Sequence, residues 1–576
     1  MSETFTILLP QVVLALAGAL FILAGTFAIP RRWFGPAALA VLGITALCLR
    51  SSVASTPVVG LDSGLSVRTS ALAAGFQYCC LAVGALFVLQ SVSNQASEEG
   101  PTGEFYGMLL LMLDGLLLVG VANDLITLFL SLELISIPTY VLLYLGRRDP
   151  RSQEASVKYF LLSIFSAAML LYGMAFIYGL TGSTQFDSIR RVLIETYAPI
   201  NPEAIVPAPS ALGLVAIVFL LAGLSFKMAA VPFHFYAPDV YEGTSPGNAA
   251  LLSTLPKVAG IVVLARLLSL GFVPAGAVGP MDAVGGGGIA HLTLFWQLAT
   301  VLAAVTMTVG NVMALLQKNL RRLLACSSIA HAGYLLVGIA AAAASATAQA
   351  DRSPAAAAAG DASWTAGLGG LSATLFYLAT YVLATVGIFA AVTYLGHRWP
   401  EWKGDSGQRP PREEITTVDD LDGLSGTNPV AAFALAVFLL SLAGIPPLPG
   451  FWGKLGLATS ALEVDWNAAI ASGSRRAAFV GLSVVLVLNA AIAAAYYLRI
   501  IAAMYFRTTK RGVQADGGLS AGVAMLICLA LVVGATLQPR GLFVSASRAG
   551  SGVTTAAPAV RVADLHERLG RGTTAP

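Results

Sequence analysis

Six ionisable side chains stand where an apolar sequence ought not to carry them: Glu133, Lys158, Lys227, Lys257, His331 and Lys454. A charge in the middle of a membrane-spanning helix costs at least about 2.5–3.5 kcal/mol, so such residues face a bundle interior or a wet cavity. Acids, amines and an imidazole placed in file are the material of a proton relay. Glu133 falls inside the run Asp124-Leu-Ile-Thr-Leu-Phe-Leu-Ser-Leu-Glu133, about two and a half helical turns from its start. A side chain that short does not reach the headgroups from such a depth.

Lys227 precedes Pro232 in Lys227-Met-Ala-Ala-Val-Pro232-Phe-His234. A proline cannot donate to the carbonyl four residues back, so the helix is expected to break just beyond the lysine. Freed backbone groups at a break must face protein or water, which makes the place a natural ion site. Lys257 follows Pro256, and Lys454 follows the run Pro446-Pro447-Leu-Pro449-Gly450. Leu442-Ala-Gly444 echoes Leu221-Ala-Gly223, each ahead of a proline-broken stretch with a lysine, as in an inverted repeat. His331 lies in Ser327-Ser-Ile-Ala-His331-Ala-Gly-Tyr334, a stripe of hydroxyl groups, and Lys158 opens the run Lys158-Tyr-Phe.

Plainer readings exist for each. Lys158 and Lys257 can snorkel to the headgroups, His331 can be a packed, hydrogen-bonded residue, and Glu133 with Lys227 can be a static ion pair. As a file, however, they offer a carboxylate whose approach or withdrawal loads or unloads a buried amine, because burial favours the neutral form and a nearby anion the charged one. Glu133, Lys227, Lys257, His331 and Lys454 on one bundle axis are expected to form a relay near mid-depth.

The elements that hold these residues are read from the apolar runs. Of 576 residues 57% are hydrophobic and 11% charged, with mean hydropathy +0.78, where soluble domains carry about a quarter charged residues. An all-α fold of about fourteen spanning helices is expected, since a span needs about 20 apolar residues. The runs start near residues 5, 35, 70, 105, 124, 157, 209, 252, 292, 323, 367, 429, 477 and 518. The stretches 209–246 and 429–463 are too long and proline-rich for single straight helices. The first run has no positive flank before it and reads as a retained span. Connections at 285–288, 340–360 and 399–428 read as solvent-exposed, with the alanine run at 340–360 able to prolong a helix.

Lysine and arginine in the connections orient the chain, about sixteen on one side against about seven on the other, which puts both termini outside. The basic tail, residues 540–576, runs against this count and is set aside as a flexible extension. Net charge +3 is too small to argue for nucleic acid. Cys48, Cys79, Cys80, Cys326 and Cys528 form no CxxC pair and no metal spacing with histidine. No glycine-rich phosphate loop follows a strand, so redox chemistry and nucleotide binding in this chain are not expected.

Four strings carry a family resemblance: Asp124 to Glu133, Glu154-Ala-Ser-Val-Lys158-Tyr-Phe-Leu-Leu, Lys227 through Pro238-Asp-Val-Tyr-Glu-Gly243, and Leu320-Arg-Arg-Leu-Leu-Ala-Cys-Ser-Ser-Ile-Ala-His331-Ala-Gly-Tyr334. Over residues 100–510 the chain resembles subunit N of NADH-quinone oxidoreductase, complex I, within the antiporter-like superfamily. The resemblance implies two inverted five-helix repeats, here 101–275 (helices 4–8) and 276–515 (helices 9–13). Helices 1–3 precede them in 1–100, and the last span with the tail occupies 516–576. It implies that helices 7 and 12 are broken, and it places Glu133, Lys158, Lys227, Lys257 and Lys454 on the family's ionisable positions. The lysine at 454 looks like subunit N, because the related subunit M has glutamate there. It further implies a bacterial inner membrane, partners among subunit M and small membrane subunits, and NADH, FMN, iron-sulfur clusters and quinone held by partner subunits, with no cofactor in this chain. The loop 341–366, the stretch 399–428 and the tail beyond 540 depart from the family pattern.

Two rival readings remain open: a subunit of a multisubunit cation/proton antiporter or membrane-bound hydrogenase, and a non-conducting scaffold of the membrane arm. Costly buried charges weigh against the scaffold.

Overall fold

The computed structural model describes residues 2–27, 29–55, 66–68, 71–92, 102–145, 149–197, 211–270, 287–350, 369–398, 413–464, 473–508, 513 and 515–555. Residues 285–286, 351–366, 399–412 and 556–576, parts of the connections and tail singled out above, lie outside them.

Thirteen of the described helices are long and apolar enough to cross a membrane. They are α1 (Ser2–Gly25), α2 (Phe34–Ser55), α3 (Ala71–Val92), α4 (Gly103–Val121), α5 (Leu125–Leu145), α6 (Pro150–Thr181), α8 (Ala211–Met228), α10 (Pro246–Leu270), α11 (Gly287–Leu316), α12 (Leu320–Ala350), α13 (Gly369–Leu395), α17 (Gly473–Phe506) and α18 (Leu519–Leu537). The fourteenth crossing is divided between α15 (Pro429–Ala443) and α16 (Pro449–Leu462), each too short to span alone. The amphipathic α7 (Phe186–Tyr197) joins α6 to α8, and α9 (Tyr236–Gly243) continues the broken seventh crossing. A four-residue α14 (Leu424–Thr427) precedes α15, and α19 (Pro539–Thr555) ends the described chain.

Local chemistry starts and stops these helices. The Asp149 side chain accepts from Ser152 N at 2.8 Å with Pro150 in the first turn of α6, and Asn428 accepts from Ala431 N at 3.2 Å ahead of Pro429 in α15. A side-chain oxygen there satisfies an amide that has no partner in the helix.

The two breaks end in the same way. At α8, Ala230 N donates to Ser225 O and Ala229 N to Phe226 O, with Ala229 at φ 56. At α15, Ile445 N donates to Leu440 O and Gly444 N to Ser441 O, with Gly444 at φ 84. Both are Schellman ends closed by one left-handed residue. The structural counterparts are therefore Ala229 and Gly444, not the two Leu-Ala-Gly triplets. Gly223 lies inside α8, where a Cβ would come 2.9 Å from Leu170 of α6.

Helices α4, α5, α6, α8/α9 and α10 make one set of five crossings, and α11, α12, α13, α15/α16 and α17 make another, each with its fourth member broken. Corresponding members stand five crossings apart and so run in opposite directions. The apolar stretch of α12 is buried throughout, and those of α13 and α10 are 83% and 78% buried, against 28% for α1 and α2. A spanning helix buried all round belongs to the bundle centre. The axis is thus built of α10, α12 and α13, which pack on one another.

Three connections hold more structure than their composition suggests. Ala340–Ala350 continue α12, and Ala340, Ala341, Ala343 and Ala344 are buried. The end of the 399–428 stretch pairs with α13's exit through a two-residue antiparallel ladder, His397 opposite Glu414 and Arg398 opposite Glu413, and buries Ile415, Val418, Leu421 and Leu424. The beginning of the tail forms α19, which packs on α13, α3 and α10, with Phe543 stacked on Phe376 at 4.2 Å. One apolar face is enough to seat a helix that a charge count sets aside.

Candidate functional site

Glu133 on α5 faces Lys227 at the end of α8, with Oε1 3.7 Å from Nζ. The lysine side chain is 3% exposed and donates to the hydroxyl of Ser136, one turn beyond Glu133. Its position follows from the break: α8 stops one residue later, so the amine stands where the bundle interior opens.

From Lys227 the contacts run sideways. A Cβ on Gly260 of α10 would lie 3.8 Å from Lys227 Cβ, and Lys257 is three residues before Gly260, on the same helical face. Lys257 is 1% exposed. It donates to the carbonyl and the hydroxyl of Ser328 on α12 and lies 5.7 Å from the ring centre of Tyr381 on α13. Its depth and these partners set aside the snorkelling alternative.

His331 follows Ser328 by three residues on α12. Its Nδ1 is 2.6 Å from the Tyr377 hydroxyl and its Nε2 2.9 Å from that of Tyr497. A neutral imidazole donates from one nitrogen and accepts at the other, so one tyrosine receives a proton-bearing bond and the other supplies one. Exchange of tautomers reverses the direction of this wire. The Tyr497 hydroxyl also pairs with Ser327, and the His331 ring meets that of Tyr334 at 5.7 Å.

Lys454 of α16 stands over Tyr334, with Nζ 4.7 Å from the ring centre. It donates to Leu442 O and Ala443 O at 2.9 and 3.0 Å. These are carbonyls of the last turn of α15, the negative end of a helix dipole. The second break thereby supplies the acceptors for its own lysine. Gly444 makes the room, since a Cβ there would lie 2.9 Å from Lys454 Cδ. Gly444→Ala is expected to cost about 1–2 kcal/mol for the left-handed backbone and to dislodge the amine. A lowered melting temperature together with weakened activity of the assembled protein checks this.

Glu133 thus pairs with Lys227, Lys257 with Ser328, and His331 and Lys454 with Tyr334, while Gly260 brings α10 against α8 between Lys227 and Lys257. Lys158 is not among them. Its side chain is 41% exposed and bridges Glu154 at 2.6 Å and Asp239 at 3.1 Å. Arg322 of α12 takes the other oxygen of Asp239, and Glu242, both at 2.8 Å. This cluster ties α9 to α6 and α12 on the face where Arg321 meets Glu414 at 3.1 Å. Half-exposed ion pairs contribute about 0–1 kcal/mol each. Lys158→Met is therefore expected to assemble and to keep most of the activity that Lys227 or Lys257 substitutions remove. Equal losses in a side-by-side assay would put Lys158 in the file.

Some members had no clear sequence signal. Tyr377, Tyr381 and Tyr497 are aromatic residues in apolar runs, indistinguishable there from packing side chains. Asp114 of α4 and Arg266 of α10 also lie inside runs: Asp114 is 5% exposed, with no partner for Oδ1 among the described residues. The Arg266 guanidinium donates to Gly120 O and Ala122 O at the end of α4, a cation on a helix C-terminus.

Residues 122–350 and 362–480, which contain Glu133, Lys227, Lys257, His331 and Lys454, match the sequence profile of the family described as NADH:quinone oxidoreductase/Mrp antiporter, transmembrane. NADH-quinone oxidoreductase subunit N of Trichlorobacter lovleyi is 36% identical over 502 residues, 87% of each chain. That of Desulfovibrio desulfuricans is 34% identical over 548 residues, 93% of this chain and 94% of its own. The chain belongs to the subunit N family.

Among solved structures, a chain of respiratory complex I from Thermus thermophilus with bound aureothin superposes with TM-score 0.66 at 27% identity, covering 93% of this chain and 98% of that one. A chain of the Mrp complex from a Dietzia species gives TM-score 0.68 at 20% identity, covering 96% and 98%, and shares the fold.

Proposed function

We propose that this chain is the proton-translocating subunit N of an NADH-quinone oxidoreductase, multi-pass in a bacterial inner membrane with both termini outside. The observation that carries the reading is the row of ionisable groups from Glu133 to Lys454: Glu133 faces Lys227, α8 meets α10 at Gly260 beside Lys257, Lys257 bonds Ser328, and His331 and Lys454 share Tyr334. In this reading the Glu133–Lys227 pair is the switch. Closing it favours the ammonium, and opening it releases a proton toward Lys257. Ser328 and the His331–tyrosine wire pass charge to Lys454, whose helix-end carbonyls hold an ammonium until it is discharged to the outer side. Proton transfer between oxygen and nitrogen groups conserves redox state, so the driving energy comes from elsewhere. NADH, FMN, iron-sulfur clusters and quinone belong to partner subunits, and subunit M and small membrane subunits are the neighbours in the membrane arm.

The family also contains Mrp antiporter subunits, and coupling tells the two roles apart. The test is acidification of the lumen of inverted membrane vesicles holding the native assembly, driven by NADH, with and without sodium. NADH-driven, sodium-independent acidification that disappears when this chain is deleted and returns when it is restored is the expected result. Acidification that follows a sodium gradient and ignores NADH would place the chain in an antiporter.

A further inference from the structure

Between α12, α13 and α15 lies a small cavity of about 10 Å³, about what one water molecule needs. One wall is hydroxylic, formed by Ser327, Ser328, Tyr381 and Thr385. The arms of the file meet at this wall: Ser328 accepts from Lys257, and Ser327 pairs with Tyr497, the partner of His331. Leu442 also lines the cavity and lends its carbonyl to Lys454. The Tyr381 hydroxyl is engaged, 2.8 Å from Ser328 Oγ and donating to Ser253 O at 2.9 Å. Thr385 is 6% exposed; its hydroxyl stands beside that of Tyr381, whose bonds go to Ser328 and Ser253, and among the described residues its Oγ1 makes no hydrogen bond of good geometry. A buried hydroxyl in that state calls for a partner, and a water bridging several polar groups is the usual one.

The other wall is apolar. Leu324 stands one turn before Ser328, and Ile388 and Phe389 stand one turn after Thr385. Both groups lie toward the face of Arg321 and Glu414. Arg321 is seven residues from Ser328, about 10 Å along the helix.

We propose that this cavity is the water site through which the file is loaded, with Thr385 positioning the water and Leu324, Ile388 and Phe389 forming an apolar plug toward the charged face. The inference rests on the relay reading and names the site that feeds it. A proton arriving on the water makes it a hydronium. The hydronium passes a proton to Ser328 Oγ as that hydroxyl gives its own to the neutral Lys257 amine, which leaves water, serine and an ammonium, with nothing oxidised or reduced. The plug keeps the site dry of bulk water between transfers, so that outward protons do not run back.

The test uses the assembled complex in vesicles with Thr385→Val, Thr385→Ser, Leu324→Ala and, as a control for the relay, Lys257→Met. NADH-driven acidification and turnover are read together with the passive decay of a pH gradient in the absence of NADH. Thr385→Val, which keeps the shape and removes the hydroxyl, is expected to lower acidification and turnover about tenfold, the size of one lost hydrogen bond. Thr385→Ser is expected to restore them, and Leu324→Ala to speed passive decay severalfold. A side chain that merely packs would show no rescue by serine and no leak. Unchanged acidification in Thr385→Val, unchanged decay in Leu324→Ala and loss in Lys257→Met would overturn the loading site and leave the relay standing. Unchanged acidification in Lys257→Met would remove the relay, and the loading site with it.

Discussion

Lys257→Met is expected to assemble normally and to lose both proton pumping and quinone-reductase turnover by about tenfold or more, because a missing acid–base group slows a proton step about 10²–10⁴-fold. The substitution is close in length and removes one charge. The partners of Lys257 are the carbonyl and hydroxyl of Ser328 and the Tyr381 ring, all of them neutral. Exchanging a buried ion for an apolar side chain of similar volume is often neutral or stabilising. Melting temperature is therefore predicted to hold or rise while transport falls. A fall in both would mark Lys257 as structural.

Glu133→Gln is the second large effect, and its signature is the reverse. The amide keeps the shape and removes the charge that faces Lys227 at 3.7 Å, leaving that amine with Ser136. Breaking a buried pair from one side costs about 3–5 kcal/mol if the remaining ion stays charged, so both stability and pumping are expected to drop. Adding Lys227→Met to the same chain removes the stranded charge and is predicted to recover melting temperature without recovering pumping. Recovery of both in the double variant would make the pair a static stitch between α5 and α8.

Much of this arrangement was legible in the sequence where covalent geometry speaks directly. Pro232 announces the end of α8, and Ala229 closes it two residues after Lys227, as a missing amide donor requires. The depth of Glu133 and the crowding of prolines before Lys454 are equally local facts. What the sequence hides is three-dimensional. The Leu-Ala-Gly echo pointed to a repeat but matched Gly223, a close-packing position, with Gly444, a helix terminator. Lys158 shares residue type with the file, yet α6 carries it to the ion cluster around Asp239. Tyr377 and Tyr497 became visible as partners of His331 only once α13 and α17 were packed against α12. The helix α19 was obscured because a count of basic residues weighs charge and not the apolar face that seats Phe543 on Phe376.

The most direct test of the account compares the native chain with Lys227→Ala in sealed vesicles, recording acidification and quinone reduction while a native gel verifies assembly. The account predicts an assembled complex in which acidification and turnover fall together. An assembled complex in which both are unchanged would contradict it and reduce the buried lysine to a structural role.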